Sequence, residues 1–279
     1  MGDVGIHMVD YYVDEEAGRF TCEGTTAQIF YSQSGEDLEV YGDFFHHKQE
    51  LFKGNGTFVE VGAGNGVKFS NTKYFEDHMG FNGLLVEPVP DQFDMLVKTR
   101  ASGINMLARC AVTATEGNVT FRISDHPTAG LWVSGVDSTL PQGLRELWHQ
   151  ESHCIEVPSK KMSTLIEMSK LKYIDIFSLD VEGGELEVLK SMDWKVPIYI
   201  FIIELRSNGL QTEKDGECRD ILLEHGFCFH KSVGLSEIWY DKEYLSKRHA
   251  SHCRALLTQG SDSVEDLTSP FASPRRVSK

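Results

Sequence analysis

The chain has 279 residues, of which 41% are hydrophobic and 25% charged, a globular composition with length for one large domain or two small ones. A net charge of −15, with no basic patch before the last few residues, argues against a nucleic-acid partner. No apolar run approaches the ~18 residues of a membrane span, and residues 1–5 lack the basic and apolar segments of a secretion signal, so the expected location is the cytoplasm.

Residues 1–30 read as a loosely structured lead-in, and residues 31–250 as one domain. Ser34 opens a helical pattern that runs to Phe52, with Leu38, Tyr41, Phe44 and Phe45 on one face. Residues 57–66 (TFVEVGAGNG) then read as a buried strand running into a glycine-rich turn, the place where doubly wound α/β proteins hold a nucleotide. The glycines fall as G-x-G-x-G at Gly62, Gly64 and Gly66, whereas the dinucleotide fingerprint is G-x-G-x-x-G. Glu60 precedes them on the strand. A carboxylate beside a loop that need not cradle phosphate suits S-adenosylmethionine (SAM), whose amino and sulfonium groups are cationic. A tight turn with no ligand has the same local pattern.

A helix near 70–79 leads to the next strand, residues 83–88 (GLLVEP). Its Glu87 lies 21 positions after Gly66, which agrees with the acid that accepts hydrogen bonds from ribose hydroxyls. A helix follows over 90–101, with strands at 104–112 and 117–124. This alternation predicts a largely parallel sheet. Residues 125–153 contain Pro127, Gly130, Gly135, Pro141 and Gly143 among Trp132 and Trp148, and read as an irregular insertion at the acceptor site. Order returns with a helix near 162–170, a strand at 173–180 and a helix at 184–192. A strongly apolar strand follows at 198–204, then a helix near 215–225 ending at Gly226. Residues 227–230 and 236–240 flank Val233-Gly234-Leu235 as a β-hairpin. Residues 255–279 are rich in Ser, Asp, Pro and Thr and are expected to be disordered; Arg275-Arg276-Val277-Ser278 within them resembles a kinase site. The six cysteines are scattered without a C-x-x-C pair and read as reduced thiols.

Four segments resemble the FkbM-type methyltransferases, which are class I SAM-dependent O-methyltransferases. They are residues 32–37 (SQSGED), 57–72 (TFVEVGAGNGVKFSNT), 83–88 (GLLVEP) and 176–190 (IFSLDVEGGELEVLK), the last carrying the most specific motif. The resemblance covers residues 30 to 240. It implies a Rossmann-like α/β fold with a seven-stranded, mostly parallel sheet, a C-terminal antiparallel hairpin and helices on both faces. By the same resemblance, Glu60, Gly62, Gly64 and Gly66 hold the methionine part of SAM, and Glu87 takes the ribose. Ser70 and Asn71 touch the cofactor or cap the following helix. Gln33, Glu36 and Asp37 close over the methionyl end or form a solvated helix start.

Asp180 and Glu182 lie just past a strand end, on the carboxyl edge where open α/β sheets bind ligands, and Glu204 ends the next strand. Clustered carboxylates raise one another's pKa, which suits a general base acting on a hydroxyl. The same three oxygen donors suit Mg²⁺, and they also suit holding the amino group of SAM or capping the following helix. His126 is an alternative base. Together with Trp132, Trp148, His149 and His153 it belongs to the segment expected to line the acceptor site, where aromatic faces suit sugars and flat polyketide surfaces. The expected reaction is therefore methyl transfer from SAM to a hydroxyl oxygen of a small molecule or glycan. A non-catalytic SAM-binding module and a nicotinamide-dependent oxidoreductase are the alternatives.

Overall fold

In a computed structural model of the chain, the described residues are 11–14, 19–22, 30–101, 103–127, 129–205, 212–243 and 248. The chain divides into two units, residues 1–241 and 242–279. The tail at 255–279, with its kinase-like motif, lies outside the described residues.

Strands β1 (Tyr11–Asp14) and β2 (Arg19–Cys22) pair antiparallel as a separate ribbon, so part of the lead-in is ordered. The helical stretch after it is broken. α1 (Glu36–Val40) passes into a π turn at Tyr41–Phe45, a 3₁₀ turn at His46–Lys48 and then α2 (Gln49–Phe52). Gly42 is the weakest helix former there. Phe45 is fully buried, with its ring centroid 4.9 Å from that of Phe52 and 5.4 Å from that of Phe75.

The α/β alternation begins with β3 (Thr57–Val61), α3 (Lys73–Met79), β4 (Asn82–Val86), α4 (Pro90–Arg100) and β5 (Met106–Ala108). Next come β6 (Ala111–Val112), β7 (Gly117–Ser124), β8 (Gly135–Val136), α5 (Gln142–Trp148) and β9 (Ser152–Lys160). The rest is α6 (Met162–Ser169), β10 (Ile174–Leu179), α7 (Glu185–Lys190), β11 (Ile198–Glu204), α8 (Thr212–Glu224), β12 (Phe227–Val233) and β13 (Ser236–Asp241).

Seven strands form the main sheet in the order β12-β13-β11-β10-β3-β4-β5. The pairs among β11, β10, β3, β4 and β5 are parallel, while β13 runs antiparallel to both β11 and β12. Every residue of β10 and β11 is buried, as the apolar runs demand of strands covered on both faces. Alternation sends Val59 and Val61 into one core with α6, α7 and α8. Phe58 and Glu60 face the other way, toward Arg100 of α4, whose guanidinium lies 5.2 Å from the centre of the Phe58 ring.

The sequence reading places 117–124 among the alternating elements of a largely parallel sheet and makes 104–112 one strand. Instead, β6, β9, β7 and β8 build a second, four-stranded sheet, with β7 antiparallel to β8 and β9. The expected strand divides between the two sheets at Arg109 and Cys110. β9 is an unexpected element, since Pro158 within it argues against a strand. Its small core is Val89, Ala111, Phe121, Ile123, Val136 and Val157.

Behind the glycine turn lies a buried charge network. Arg100 is 1% exposed; its Nε donates to Glu76 at 2.6 Å, and its Nη1 lies 3.6 Å from Glu60. The same guanidinium donates to the Gly66 carbonyl, Ser70 Oγ and Thr72 Oγ1. Removing one partner of a buried pair leaves the other as an uncompensated charge. Arg100→Met should therefore cost about 3–5 kcal/mol in denaturant unfolding. Adding Glu60→Gln to that variant should recover part of the loss, and an unchanged midpoint for Arg100→Met would refute the role given to the pair.

Candidate active site

β3 neighbours β10 in the sheet, yet the chain proceeds from β3 to β4 on one side and from β10 to β11 on the other. This is a topological switch point, and ligands bind outside the carboxyl ends of strands at such places. The turn after β3 and the loop after β10 touch there: Asp180 donates its backbone N–H to the Val61 carbonyl at 3.1 Å. Gly62 has φ 88°, and a Cβ on it would overlap the Asp180 carbonyl oxygen. No larger residue fits that contact.

A cavity of about 230 Å³ opens at this edge, lined by Gly62, Ala63, Gly64, Glu87, Asp180, Glu182 and Glu204 among others. Pro88 and Cys110 line it just past the ends of β4 and β5, Ala111, Val112 and Phe121 from β6 and β7 of the second sheet, and Trp132 and Trp148 from the insertion. A second, more polar chamber shares Gln33, Phe69, Asp180, Glu204 and Leu235 with the first and adds Glu36 and Asn71.

Glu87 sits at the end of β4, buried. Its Oε2 accepts the Gly64 N–H and its Oε1 the Val89 N–H, both at 2.8 Å. Burial pushes its pKa up to about 7, against the lowering effect of those two donors. Each carboxylate oxygen keeps acceptor capacity for a further hydroxyl. Asn71 is buried and gives Nδ2 to Ser178 Oγ at 2.9 Å, while its Oδ1 has no hydrogen-bond partner. An orphaned acceptor at a chamber wall is satisfied when a donor group enters.

The loop after β10 is fixed from below by Glu185. Its Oε1 accepts the N–H groups of Val181 at 3.1 Å and Gly183 at 3.2 Å. Burial pushes Glu185 up to about 7, and the nearby charge of Asp180 adds to the rise. Lys214 holds the loop from the other side, donating to the carbonyls of Thr139 and Gly183. Glu182 is held at φ 56°, a conformation uncommon outside glycine. Asp180, Glu182 and Glu204 each offer a carboxylate oxygen, and these lie within 4.8 Å of one another.

The structure brings Gln33, Gly62, Gly64, Glu87, Asp180, Glu182 and Glu204 to the first cavity, and Glu36 and Asn71 to the second chamber. Other expected site residues stand behind it. Both Glu60 oxygens are engaged within the fold, by Ser70 Oγ, Thr72 Oγ1 and the Asn71 N–H. Ser70 serves that network and caps α3 through the Lys73 N–H. Gly66 packs on Leu96 and Arg100. Asp37 accepts from Ser32 Oγ at 2.5 Å and the Tyr31 N–H at 2.7 Å, and shapes the loop that carries Gln33. His126 is outside the lining; its Nδ1 accepts the Ala129 N–H, and its ring stands edge-on to Trp148. His149 and His153 are outside it too, bonded to the Val133 carbonyl and the Asp125 carboxylate. Sequence reasoning missed Lys68 and Glu185, although both lie inside segments singled out for their motifs. It also missed Arg100, which no local pattern marks as buried.

A parallel sheet with a reversed hairpin edge and a ligand cavity at the switch point defines the class I methyltransferase fold. The methyltransferase FkbM domain family matches residues 60–229, and the chain belongs to that family. It is therefore a SAM-dependent methyltransferase of class I, and the nicotinamide alternative falls. No curated protein matches the chain in sequence. Among solved structures, a protein assigned as a sarcosine dimethylglycine methyltransferase from Galdieria sulphuraria is similar, with 11% identity and a TM-score of 0.37 over 84% of this chain and 73% of that one. Aeropyrum pernix fibrillarin, solved with S-adenosyl-L-methionine bound, has 12% identity and a TM-score of 0.39 over 84% and 99%. Both likenesses are remote, and the assignment rests on the domain match. Among the described residues no helix is long and apolar enough to cross a membrane.

The pKa of Glu87 gives two pH effects of opposite sign. Raised above its usual 4.5 to about 7, Glu87 contributes stability to the ligand-free fold that is complete below pH 4.5 and is lost as pH rises through 7. An ionised carboxylate accepts two hydroxyls better than a protonated one, so, on the ribose role expected of Glu87 from the sequence, SAM affinity should fall as pH drops below 7. Calorimetric titration at pH 8 and pH 6 checks this. Glu87→Gln should bind more weakly and lose the pH dependence, whereas a native affinity flat across this range would contradict the role of Glu87.

Proposed function

We propose that the chain transfers a methyl group from SAM to a hydroxyl oxygen of a small-molecule or glycan acceptor, with a carboxylate of the Asp180, Glu182 and Glu204 trio as general base. The observation that carries this reading is the trio itself, three oxygens within 4.8 Å at the mouth of the cavity that Glu87 also lines. When bound, SAM supplies a methyl carbon on a sulfonium, open to in-line attack. Glu87 accepts the ribose hydroxyls, and Gly62 and Gly64 let the ligand approach the backbone. Asn71 Oδ1 offers its unused lone pair to the donor's amino group. Gln33 and Glu36 border the methionyl end from the second chamber.

A neutral hydroxyl is a weak nucleophile, so a positioned base contributes typically about 10²–10⁴-fold. One oxygen of the trio takes the acceptor's hydroxyl proton, and the Glu185 carboxylate keeps the Asp180–Glu182 backbone in place for it. Orientation supplies the larger share, up to roughly 7–11 kcal/mol for a well-aligned pair. The aromatic side chains Trp132, Trp148 and Phe121 offer flat apolar faces to a sugar ring or polyketide and exclude water. The same three carboxylates are hard oxygen donors that fit Mg²⁺, a second reading that the spacing also favours.

Methyl-labelled SAM, incubated with panels of sugars, glycans and polyketide-like alcohols, tests the proposal. Label should appear on an acceptor oxygen. Glu182→Gln and Glu204→Gln should lower kcat by about 10²-fold or more with SAM affinity kept. Full activity in both, and in Asp180→Asn, would remove the trio from catalysis. Turnover unaffected by a chelator would exclude the Mg²⁺ reading, and SAM binding with no transfer to any acceptor would favour a binding module.

A further inference from the structure

We infer that Lys68 is a ligand-binding residue whose ammonium pairs with the carboxylate at the methionyl end of SAM. The inference rests on the donor reading above and adds a residue that reading does not use. Among the described residues, Lys68 alone supplies a lysine or arginine side chain to the lining of the first cavity, which also holds the carboxylates of Glu87, Asp180, Glu182 and Glu204. Among the described residues it makes no ion pair, in a chain with 42 acidic residues against 27 basic ones. Lys73, Lys190, Lys195 and Lys231 all find carboxylates.

Two aromatic faces hold the Lys68 side chain instead. Its Nζ lies 4.7 Å from the centre of the Phe69 ring and 5.4 Å from that of Trp132. The rings themselves meet edge to face at 5.3 Å. Ring faces attract an ammonium but use none of its N–H donors in a conventional hydrogen bond. The cation is thus positioned and half-buried, with donors to spare and no counter-charge. An anionic group of a ligand completes such an arrangement with charge-assisted hydrogen bonds.

Position in the chain selects the donor as the source of that anion. Lys68 follows the glycine turn directly, and Phe69 next to it lines both chambers. Asn71, with its unpartnered buried Oδ1, stands two residues further on at the wall of the second chamber. An amino-acid end carries an ammonium and a carboxylate on one carbon, and the segment Lys68 to Asn71 presents a partner for each. Phe69 is held at φ 64° and forms a parallel bridge with Ser32. A left-handed aromatic residue is costly, and such strain concentrates at ligand clamps.

Calorimetry on the full chain tests the inference with two probes, S-adenosylhomocysteine and 5′-methylthioadenosine. The second keeps the adenosine but lacks the amino-acid end. Lys68→Gln should weaken S-adenosylhomocysteine binding by about tenfold or more and leave methylthioadenosine binding within about twofold. Lys68→Arg should restore most of the lost affinity. An unchanged affinity for S-adenosylhomocysteine in Lys68→Gln, or an equal loss for both probes, would overturn the inference. If the native chain bound neither probe, the donor reading itself would fail and the inference with it, a result separate from either outcome of the variant.

Discussion

Arg100 carries the charge on which the donor side of the molecule is built. Its guanidinium, 1% exposed at the end of α4, reaches across the second face of the sheet to Glu60 and Glu76 and touches the Gly66 carbonyl. Glu60, buried in β3, is then free to gather Ser70, Asn71 and Thr72 onto its oxygens. A carboxylate at that depth is tolerable only with a counter-charge and satisfied lone pairs, and both are present. Burial still raises its pKa, with Arg100 opposing the rise. The consequence is a glycine turn whose two ends are tied to the same ion pair. The cavity-facing residues Gly62, Gly64, Lys68 and Asn71 inherit their positions from that tie.

The second constraint is the contact between that turn and the loop after β10. The Asp180 N–H bonds to the end of β3, and only a glycine at position 62 clears the Asp180 carbonyl. The glycine turn and the carboxylate trio are therefore parts of one junction at the switch point. Glu185 and Lys214 fix the far side of the loop, and the second sheet packs on it: Gly135 of β8 lies against the Glu182 backbone. The extra sheet thus serves as a wall of the cavity, contributing Phe121 from β7 and carrying Trp132 and Trp148 on its connections.

Much of this was legible in the sequence, because the main sheet obeys simple periodicity. The buried runs at β3, β10 and β11 are near-continuous apolar stretches, and the C-terminal hairpin is marked by its Val-Gly-Leu turn. The second sheet was not legible. β9 has only two buried residues, Val157 and Ser159, and contains Pro158, and its partner β7 sits more than 25 residues away in a pairing that only tertiary structure decides. At the site, spacing located Glu87, Asp180, Glu182 and Glu204 at strand ends. It did not separate cavity-facing residues from those behind them, since Glu60 turns toward Arg100 within the strand while Gly62, just past the strand end, meets the cavity. Histidines 126, 149 and 153 share a segment with the cavity aromatics but each spends one ring nitrogen on a local bond.

The central claim is that one cavity at the β3/β10 junction holds the donor and presents its reactive end to the carboxylate trio. A crystal structure with S-adenosylhomocysteine bound measures this directly. The account predicts ribose hydroxyls within hydrogen-bond distance of the Glu87 carboxylate, the amino-acid end between Lys68 and Asn71, and the sulfur facing Asp180 and Glu182. Density for the ligand elsewhere on the chain, or a ribose turned away from Glu87, would contradict it.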